Sequence, residues 1–557
     1  MSNTPAGIPL TSSSVEQIFP KLTPTQINRI AVQGHMRGMH RGEVLVEQGG
    51  SAVPFFVVVS GELEIVRPSG AAETLVSVYG PGQFNGEVNM LSGRRTLFRV
   101  RASKPGKVIE LDRQHMMALM QTDAELGEIL MRAFILRRVE LVAAGVGDAV
   151  LIGSTHSSST HRIKEFLVRN GHPYSYIDLE RDPDVQNLMD GFHISASEIP
   201  VVVCRGQVVL RNPSNQQIAN CLGFNDAVNQ TQVRDLIIIG AGPSGLSAAV
   251  YGASEGLDVL ILESSSPGGQ AGSSSRIENY LGFPTGITGQ ELASRAYSQT
   301  QKFGAEMLIT KGTRLACDHK PYVVEVGNGA RIPARTILIA TGAEYRRPLL
   351  ENLSHFEGAG VYYGATFVEA QLCKGKEVIV IGGGNSAGQA AVYLAGITER
   401  VYLLVRSAGL AESMSRYLVR RIEENPKIVI LPHTEILALE GRDHLESVRW
   451  RNRQTGQIEE HKISHMFIMT GADPNTRWLD GCITLDAKGF VKTGSDLSPE
   501  NLSAAHWPLV RPPYLLETSL PGVFAVGDVR GGSIKRVASA VGEGSIAISF
   551  VHQVLQE

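Results

Sequence analysis

Hydrophobic and polar positions divide the chain into segments with different periodicities. Residues 15–145 begin with short β-branched runs broken by glycine, such as FFVVVSGELEIV and ETLVSVYG, which predict strands. Further along this segment, apolar side chains recur at helical spacing at Leu126, Ile129, Leu130, Ala133 and Leu136. The segment therefore predicts a glycine-rich β-roll that is closed by a long helix.

Residues 148–224 predict a smaller α/β unit. AVLIG, SYIDLE and EIPVVVCRGQVVL have the composition of buried strands, and the last of these is entered through Ile199–Pro200. HRIKEFLVRNG predicts a helix that ends in glycine. The order β-α-β-α-β-β predicts a small domain of its own.

Residues 234–557 contain one pattern twice: an apolar strand, a glycine-rich loop and a helix, around 235–263 and again around 377–406. Such units are typical of nucleotide-binding domains with parallel sheets. The expected fold class is therefore multidomain, with a β-roll plus helices, a small α/β domain and two Rossmann-like domains.

Length and charge narrow the classes of function. At 557 residues the chain is too long for one core. Its 52 basic and 55 acidic residues give a formal net charge of −3, which predicts neither a nucleic-acid nor a membrane partner. No apolar stretch approaches the roughly 20 residues of a spanning helix, and MSNTPAGIPLTSSS does not have the pattern of a secretory signal.

The five cysteines exclude two kinds of site. No two of them stand two residues apart, so the sequence has neither a CxxC redox motif nor the ligand spacing of a zinc site. We therefore expect no metal centre. Sparse cysteine usage is typical of a reducing compartment, and we expect a cytoplasmic location.

The strongest motif is DLIIIGAGPSGLSAAVYGASEGLDVLILE. A strand leads into Gly240, Gly242 and Gly245, a helix follows, and a second strand ends at Glu263. The glycines allow the backbone to approach a pyrophosphate at the helix N-terminus, and the acid can accept a hydrogen bond from a ribose hydroxyl. A structural tight turn is the alternative, but a strand, helix and acid in register favour a dinucleotide site.

A second unit of this kind is EVIVIGGGNSAGQAAVYLAGITERVYLLVR, with Gly382, Gly384 and Ala387 in the glycine positions. Its second strand ends at Arg406 instead of an acid. A cation there suits a 2′-phosphate and favours NADP over NAD. The alternative is that Arg406 is a solvated residue at a strand end.

With these motifs, and with ILIATGAEYRRP and GVFAVGDVRGG after further apolar strands, residues 234–557 resemble the low-molecular-weight thioredoxin reductases along their whole length. The resemblance implies an FAD domain at 234–343 and 471–557, an inserted NAD(P)H domain at 344–470, a homodimer, and rotation of one domain against the other. It implies FAD contacts at Gly240, Gly242, Ser244, Gly245, Glu263, Gln270, Asn279, Thr341, Asp528, Val537 and Ala538. It implies NADPH contacts at Gly382, Gly384, Asn385, Ser386 and Arg406.

The sequence departs from that family at the nucleotide phosphate. The family carries two consecutive arginines and a third soon after, whereas here Arg406 is followed by Ser407 and the later position is Ala411. Arg416 is a candidate substitute. The sequence thus favours NADPH over NADH as the reductant.

The larger departure concerns sulfur. The family places its redox disulfide as CATC just before the NADPH-binding strand, but here Gly364, Ala365, Thr366 and Phe367 occupy those positions in GVYYGATFVEA. Flavin electrons cannot pass to a disulfide there. Cys373 is nearby in sequence, and we expect it to be a buried, inert thiol.

Residues 148–224 resemble the thioredoxin/glutaredoxin fold, in which the turn before the VVV strand holds a cis-proline facing the redox motif. The redox CxxC would stand at the start of the first helix, where this chain has SSST at 157–160. Hydroxyl side chains favour helix capping at that place. Cys204 lies in an apolar strand and is expected in the core.

Residues 15–145 resemble the cyclic nucleotide-binding domain through FVVVSGELEIV and GPGQFNGEVNMLSGRRTLFRVRA. In that family a Gly-Glu pair, matched here by Gly86 and Glu87, binds the ribose, and an arginine before a small hydroxyl residue binds the cyclic phosphate. Thr96 stands where that arginine is expected, and Arg95 is one residue early. Three alternatives remain open: Arg95 serves, the pocket binds another ligand, or it binds nothing.

Two functions follow from these patterns. The first is an FAD-dependent NAD(P)H oxidoreductase that passes electrons to an external acceptor, such as a small ferredoxin- or flavodoxin-like protein, a quinone, dioxygen or a partner's disulfide. The second is a catalytically retired redox or nucleotide sensor that still binds FAD. Regulation of the flavin module by the N-terminal domain is a further hypothesis.

Overall fold

The computed structural model describes residues 12–557 except 52, 70–71, 146, 155–156, 180–197, 206–207, 275, 366 and 480. Among these residues, every helix is too short or too polar to span a membrane. The chain forms four structural units, and the fourth is inserted between two parts of the third.

The N-terminal unit is an antiparallel β-roll with helices before and after it. Its elements are α1 (Ser12–Ile18), α2 (Pro24–Gln33), β1 (His35–Met39), β2 (Val44–Val46), β3 (Phe55–Ser69), β4 (Ala72–Tyr79), α3 (Asn89–Ser92), β5 (Arg99–Leu111), α4 (Arg113–Thr122) and α5 (Ala124–Ala143). The sheet has strand order β1-β5-β3-β4, and β2 pairs with β5. The α5 helix packs Phe134 against Phe55 and Phe84 of the roll. This confirms the predicted roll closed by a long helix.

The second unit is a four-stranded sheet with helices. It consists of β6 (Ala149–Gly153), α6 (Ser158–Arg169), β7 (Tyr174–Asp178), β8 (Val201–Cys204), β9 (Val208–Arg211) and α7 (Asn215–Cys221). The strand order is β7-β6-β8-β9; in this sheet the described β6–β7 pair is parallel and the other two pairs are antiparallel. Ser157 caps α6 by accepting a hydrogen bond from the Thr160 amide, as the capping interpretation expected. The assignment to the thioredoxin fold stays a prediction.

The third unit begins with a parallel sheet. Its first elements are β10 (Arg234–Ile239), α8 (Pro243–Ser254), β11 (Val259–Glu263), α9 (Gly269–Gly272), α10 (Gly289–Lys302), β12 (Glu306–Ile309), β13 (Gly312–Ala316), β14 (Tyr322–Val326) and β15 (Arg331–Ile339). The strand order is β12-β11-β10-β15-β14-β13. Strands β12, β11, β10 and β15 run parallel, so their carboxyl ends meet at one edge.

The inserted unit follows. Its elements are β16 (Ala343–Tyr345), α11 (Leu353–Phe356), β17 (Val361–Tyr362), α12 (Phe367–Leu372), β18 (Glu377–Ile381), α13 (Asn385–Ala395), β19 (Arg400–Leu404), α14 (Arg416–Glu423), β20 (Ile428–Leu431), β21 (Thr434–Glu440), β22 (Ser447–Asn452), β23 (Ile458–His461), β24 (Met466–Ile468) and β25 (Ala472–Pro474). A parallel sheet of order β17-β24-β18-β19-β20 carries the second glycine loop. Strands β16 and β25 pair with each other where the chain enters and leaves this unit.

The chain then returns to the third unit. It adds α15 (Pro499–Ala504), β26 (Val523–Ala525) and α16 (Val537–Gln556), with 3₁₀ turns at Arg477–Leu479, Gly494–Asp496 and Gly527–Val529. Strand β26 pairs in parallel with β15, which completes the sheet. The two Rossmann-like units predicted from the glycine loops are thus confirmed.

A shared hydrophobic core joins the second and third units. Buried side chains of α6 and α7, including Phe166 and Ile218, belong to the same cluster as Leu236 and Ile238 of β10. The second unit is therefore docked on the third through buried apolar surface, not through a surface contact alone.

Candidate functional site

The first glycine loop connects β10 to α8, and each glycine meets a different constraint. An added Cβ at Gly240, where φ is +107°, would lie 2.3 Å from the Ala340 carbonyl oxygen, and one at Gly245 would lie 2.0 Å from the Gly240 oxygen. At Gly242 no heavy atom lies within 4 Å of the added Cβ. Gly240 and Gly245 therefore serve chain packing, whereas Gly242 leaves room for a ligand at the start of α8.

Glu263 ends β11 beside this loop. Its Oε2 accepts a hydrogen bond of 2.8 Å from the Ala241 amide, and its Oε1 accepts one of 2.8 Å from the Ser265 amide. The carboxylate thus fixes the loop against the strand end. Carboxylate oxygens have further lone pairs, so Glu263 can still accept from a ribose hydroxyl.

A cavity of about 1730 Å³ lies along the carboxyl ends of these strands. This volume exceeds the roughly 300–1,000 Å³ of a pocket for one drug-sized ligand. The cavity is therefore large enough for parts of two dinucleotides. Most predicted FAD residues line it: Gly240, Gly242, Ser244, Glu263, Gln270, Asn279, Thr341, Asp528 and Val537. Gly245 lies behind the loop against Gly240, and Ala538 is the second residue of α16.

Two hydroxyl groups in the cavity wall are deeply buried. Ser266 and Thr310 are 2% and 3% exposed, and their side-chain oxygens find no hydrogen-bond partner among the described residues. A buried hydroxyl without a partner is unfavourable. Together with the open space at Gly242, these atoms fit a polar ligand such as the adenosine diphosphate half of FAD.

Asp528 lies in the Gly527–Val529 turn, just after β26. Burial raises the pKa of its carboxyl, and the neighbouring Lys535 ammonium opposes the shift. Thr341 and Asn475, which also line the cavity, exchange two hydrogen bonds of 2.9 and 3.0 Å. These hydrogen bonds join the two segments by which the chain enters and leaves the inserted unit.

The second glycine loop follows β18. An added Cβ at Gly382, where φ is +144°, would lie 2.4 Å from the Met469 oxygen, whereas Gly384 has open space. Of the predicted NADPH residues, Asn385 and Ser386 line the cavity; Gly382, Gly384 and Arg406 do not. Arg406 is exposed just beyond β19.

Tyr345 lies close to both the second glycine loop and the turn at Asp528. It lies in β16, lines the cavity and is close to both Ser386 and Asp528. Burial raises the pKa of its hydroxyl, and the Ser386 hydroxyl opposes the shift. The second glycine loop and the turn at Asp528 therefore face one shared space.

The positions of the missing disulfide adjoin this space. Gly364 lines the cavity, and Ala365 is buried beside it. Thr366 lies outside the described residues, and the side chain of Phe367 is likewise not described. Cys373 is buried and donates to the Glu369 carbonyl over 3.1 Å, and burial raises its pKa to about 12, as expected for an inert thiol.

Sequence reasoning missed a chain of polar groups behind this wall, which runs from the exposed Lys376 to the buried His465 and Tyr362. The His465 ring lies between Lys376, whose Nζ is 3.1 Å from Nε2, and Tyr362, whose hydroxyl is 3.4 Å from Nδ1. Burial lowers the pKa of His465 to about 4, so the ring is neutral at neutral pH. Tyr362 and His465 stand 103 residues apart, so no local pattern could have paired them.

In the N-terminal unit, the predicted nucleotide-binding residues already have protein partners. Glu87 forms an ion pair of 3.2 Å with Arg138, and Gly86 adopts φ of +108°. Arg95 forms an ion pair with Asp226, in the segment between the second and third units. Thr96 bonds the Gly49–Gly50 turn through its backbone. Of these residues, Arg95 therefore lies at a junction between units, whereas the contacts of Glu87 and Thr96 stay within the first unit.

The adjacent Arg94 was not predicted as a functional residue. It is 6% exposed, lies 4.0 Å over the Phe224 ring, and donates over 3.4 Å to the Tyr297 hydroxyl of α10. One side chain thus contacts all three of the first units. The consecutive arginines were the only signal in the sequence.

A disulfide joins Cys317 to Cys482, which the cysteine spacing did not predict. The two residues are 165 positions apart, on either side of the inserted unit. Neither lines the cavity. Cys204, Cys221 and Cys373 are free thiols.

Comparison with known families agrees with this geometry. Residues 234–544 match the family described as pyridine nucleotide-disulphide oxidoreductase. Residues 36–123 match the cyclic nucleotide-binding domain. The first match covers both glycine loops, and the second covers the Gly86–Glu87 pair and the two arginines.

Curated relatives and solved structures match the same C-terminal region. The chain is 31% identical over 332 residues to the thioredoxin reductase of Bacillus subtilis, covering 59% of this chain and 97% of that protein. It is 31% identical to the mitochondrial thioredoxin reductase 1 of Arabidopsis thaliana, covering 59% and 85%. The crystal structure of Lactococcus lactis thioredoxin reductase (FR conformation) aligns with a TM-score of 0.52 at 28% identity, covering 58% of this chain and 100% of that one. The crystal structure of T. acidophilum thioredoxin reductase aligns with a TM-score of 0.52 at 27% identity, covering 58% of this chain and 99% of that one.

Proposed function

The chain belongs to the pyridine nucleotide-disulphide oxidoreductase family, and we propose that it passes electrons from NADPH through FAD to an acceptor outside the chain. Its cofactors are those of the thioredoxin reductases, FAD and NADPH. The observation that carries the proposal is the single cavity, which residues of both glycine loops line and in which no described lining residue is a cysteine.

The protein's part in this reaction is to hold and separate charges. The amides at the start of α8, exposed by Gly242, would hold the FAD pyrophosphate, and Glu263 would hold its ribose. Asp528 and the start of α16 would face the flavin chain and ring. FAD, when bound, accepts a hydride from the nicotinamide and passes the electrons on.

NADPH would occupy the second loop, where Asn385 and Ser386 line the cavity. Exposed Arg406, with Arg416 at the start of α14, supplies positive charge where the 2′-phosphate would lie. Arginine suits phosphate because its guanidinium can donate two parallel hydrogen bonds. This is the basis for NADPH over NADH.

The electrons must leave by a route other than an intrachain thiol. Gly364 and Ala365 occupy the first two positions of the family's CATC motif, so Gly364 stands where the first redox cysteine would be. Burial keeps the Cys373 thiol protonated. The cavity wall there carries Tyr362 and Tyr363 instead. The acceptor is therefore a separate molecule, and a small redox protein, a quinone and dioxygen are the classes to test.

The experiment is anaerobic stopped-flow mixing of the FAD-loaded protein with NADPH and, separately, NADH. NADPH should bleach the flavin absorbance rapidly, and one acceptor from a panel of ferredoxin, flavodoxin, quinone, dioxygen and a disulfide dye should restore it. Cys373→Ser is the matched control and should leave every rate unchanged. If FAD binds but NADPH does not reduce it, the enzyme proposal fails and the retired-sensor alternative replaces it.

Regulation by the N-terminal unit is the second candidate function, and the ion pair between Arg95 and Asp226 supports it. A cyclic phosphate at Arg95 would compete with Asp226 for the guanidinium and so change the contact between the first unit and the linker. Asp226→Asn should raise the affinity for cAMP or cGMP because it frees Arg95. If saturating cAMP and cGMP change neither the flavin reduction rate nor the melting temperature, this candidate is rejected.

Two further predictions accompany the proposal. The homodimer implied by the family resemblance would be tested by sedimentation equilibrium. The cytoplasmic location would be tested by cell fractionation, and the disulfide between Cys317 and Cys482 makes this test informative, because disulfides are rare in reducing compartments.

A further inference from the structure

The cavity does not end at the boundary of the flavin domain. His161, Arg162, Glu165 and Arg169, all from α6 of the second unit, line it together with the Glu263–Ser266 segment. We infer that the second unit supplies part of the FAD site, with Arg162 and Arg169 forming a wall of the pocket for the adenosine half. This inference rests on the proposed binding of FAD at the first glycine loop.

Packing determines which face of α6 reaches the cavity. Ile163, Phe166 and Leu167 are at most 1% exposed and lie in the core shared with the third unit. Arg162 and Arg169 lie on the face that borders the cavity. Because the apolar face is anchored in a common core, the arginines are held in position relative to the glycine loop.

Hydrogen bonds join α6 directly to the adenosine end of the cavity. Arg169 Nη2 donates to the Gly269 carbonyl over 2.6 Å, and Asn170 Nδ2 donates to the Ser265 carbonyl over 3.0 Å. Ser265 in turn donates its amide to Glu263. The second unit is thus bonded to the same short segment that positions the predicted ribose acceptor.

The charges of this wall suit a nucleotide. Arg162 donates both terminal nitrogens to neutral oxygens, the Asn215 side chain and the Pro213 carbonyl, each over 2.6 Å. Arg169 pairs with Glu165 at 3.0 Å, but its buried Nε has no partner among the described residues. Guanidinium groups stack on aromatic rings and donate to ring nitrogens and phosphates. The wall therefore presents two guanidinium groups to the adenine and the diphosphate. The Arg169 Nε is a donor of this wall that has no partner among the described residues.

This gives the second unit a role that needs no sulfur. Its predicted redox positions carry hydroxyl residues, and Ser157 caps α6. The same helix that would carry a thiol pair in a thioredoxin-like relay instead faces a cofactor pocket. The unit acts as a structural part of the flavin site.

The test compares FAD affinity of the full-length apo-protein and its variants, measured by quenching of flavin fluorescence. Arg162→Met and Arg169→Met should each weaken FAD binding about tenfold, the effect expected for one lost charge-assisted contact. Lys164→Met is the matched control. It removes a cation from the same helix, but Lys164 lies over the Tyr176 ring and does not line the cavity. Its FAD affinity should equal that of the wild type.

Thermal unfolding of the apo-protein separates binding from folding. Both arginines also bond protein oxygens, so both Met variants should lower the apo melting temperature. A ligand contact predicts FAD binding that is still weaker well below that melting temperature, and partial rescue by Arg162→Lys and Arg169→Lys. Unchanged FAD affinity overturns the inference, and so does a loss that only follows a lower apo melting temperature. If the wild type itself binds no FAD, the proposed function fails as well, which distinguishes the two failures.

Discussion

Substituting alanine in the first glycine loop should separate ligand binding from folding. At Gly242 the backbone has φ of −70° and ψ of −178°, which alanine adopts without strain, and no atom lies within 4 Å of the new Cβ. Gly242→Ala should therefore leave the apo-protein as stable as the wild type, or more stable by about 0.4–1 kcal/mol. The methyl group would project into the space where the amides at the start of α8 face the pyrophosphate.

The expected loss is in FAD affinity. Displacing one hydrogen bond to a charged phosphate costs about 1.5–3 kcal/mol, which corresponds to about 10- to 150-fold weaker binding. Gly245→Ala is the contrasting variant, because its Cβ would lie 2.0 Å from the Gly240 oxygen. It should destabilise the apo-protein by about 1–3 kcal/mol or more through backbone displacement.

The assay is a fluorescence titration of apo-protein with FAD, paired with thermal unfolding of each apo-protein. The reasoning is refuted if Gly242→Ala binds FAD as tightly as the wild type, or if it melts as early as Gly245→Ala. The first result would mean that the open space at Gly242 is not where the pyrophosphate lies, and the second that the space does not accept a side chain.

Three further predictions concern other parts of the molecule. The pKa of His465 is lowered to about 4 in the fold against about 6.5 when unfolded, so the unfolded chain binds the extra proton as pH falls and up to about 3 kcal/mol of stability is lost between pH 6.5 and 4. His465→Gln should show a smaller fall of the melting temperature over that range, and parallel curves would contradict this. The hydrogen bond from Cys204 lowers the pKa of the Cys221 thiol and raises the pKa of Cys204. Iodoacetamide should therefore label Cys221 before Cys204 in peptide mass spectrometry, and equal labelling would contradict this. Arg406→Gln should raise the KM for NADPH about tenfold and leave that for NADH unchanged, and a matching rise for both would remove Arg406 from the phosphate site.

Local backbone constraints explain why the glycine loops of the candidate site could be predicted from the sequence. Glycine is needed where a strand turns so tightly into a helix that φ becomes positive. Gly240 and Gly382 have φ values of +107° and +144°, which is the structural reason for the motif. Glu263 was found in the same way, because it ends the next strand of the same unit. Such features involve residues close in sequence and therefore leave a pattern.

Contacts between distant segments left no pattern. The pairs Arg95–Asp226 and Cys317–Cys482 join residues far apart in the chain, and each was visible only in the fold. The helix α6 was predicted, but its arginines had the ordinary appearance of an amphipathic helix. Which face of α6 met the cavity depended on how the second unit packs on the third.

The position of α6 in the chain bears on how the holoprotein is made. Synthesis proceeds from the N-terminus and domains fold largely as they emerge, so Arg162 and Arg169 leave the ribosome before the loop at Gly240. Val537 lines the same cavity and is synthesised after the loop at Gly240. A pocket assembled from residues this far apart in the chain can retain FAD only after all of these parts have been synthesised and docked. Cofactor loading would therefore mark finished chains, and flavin content would report the completeness of a preparation.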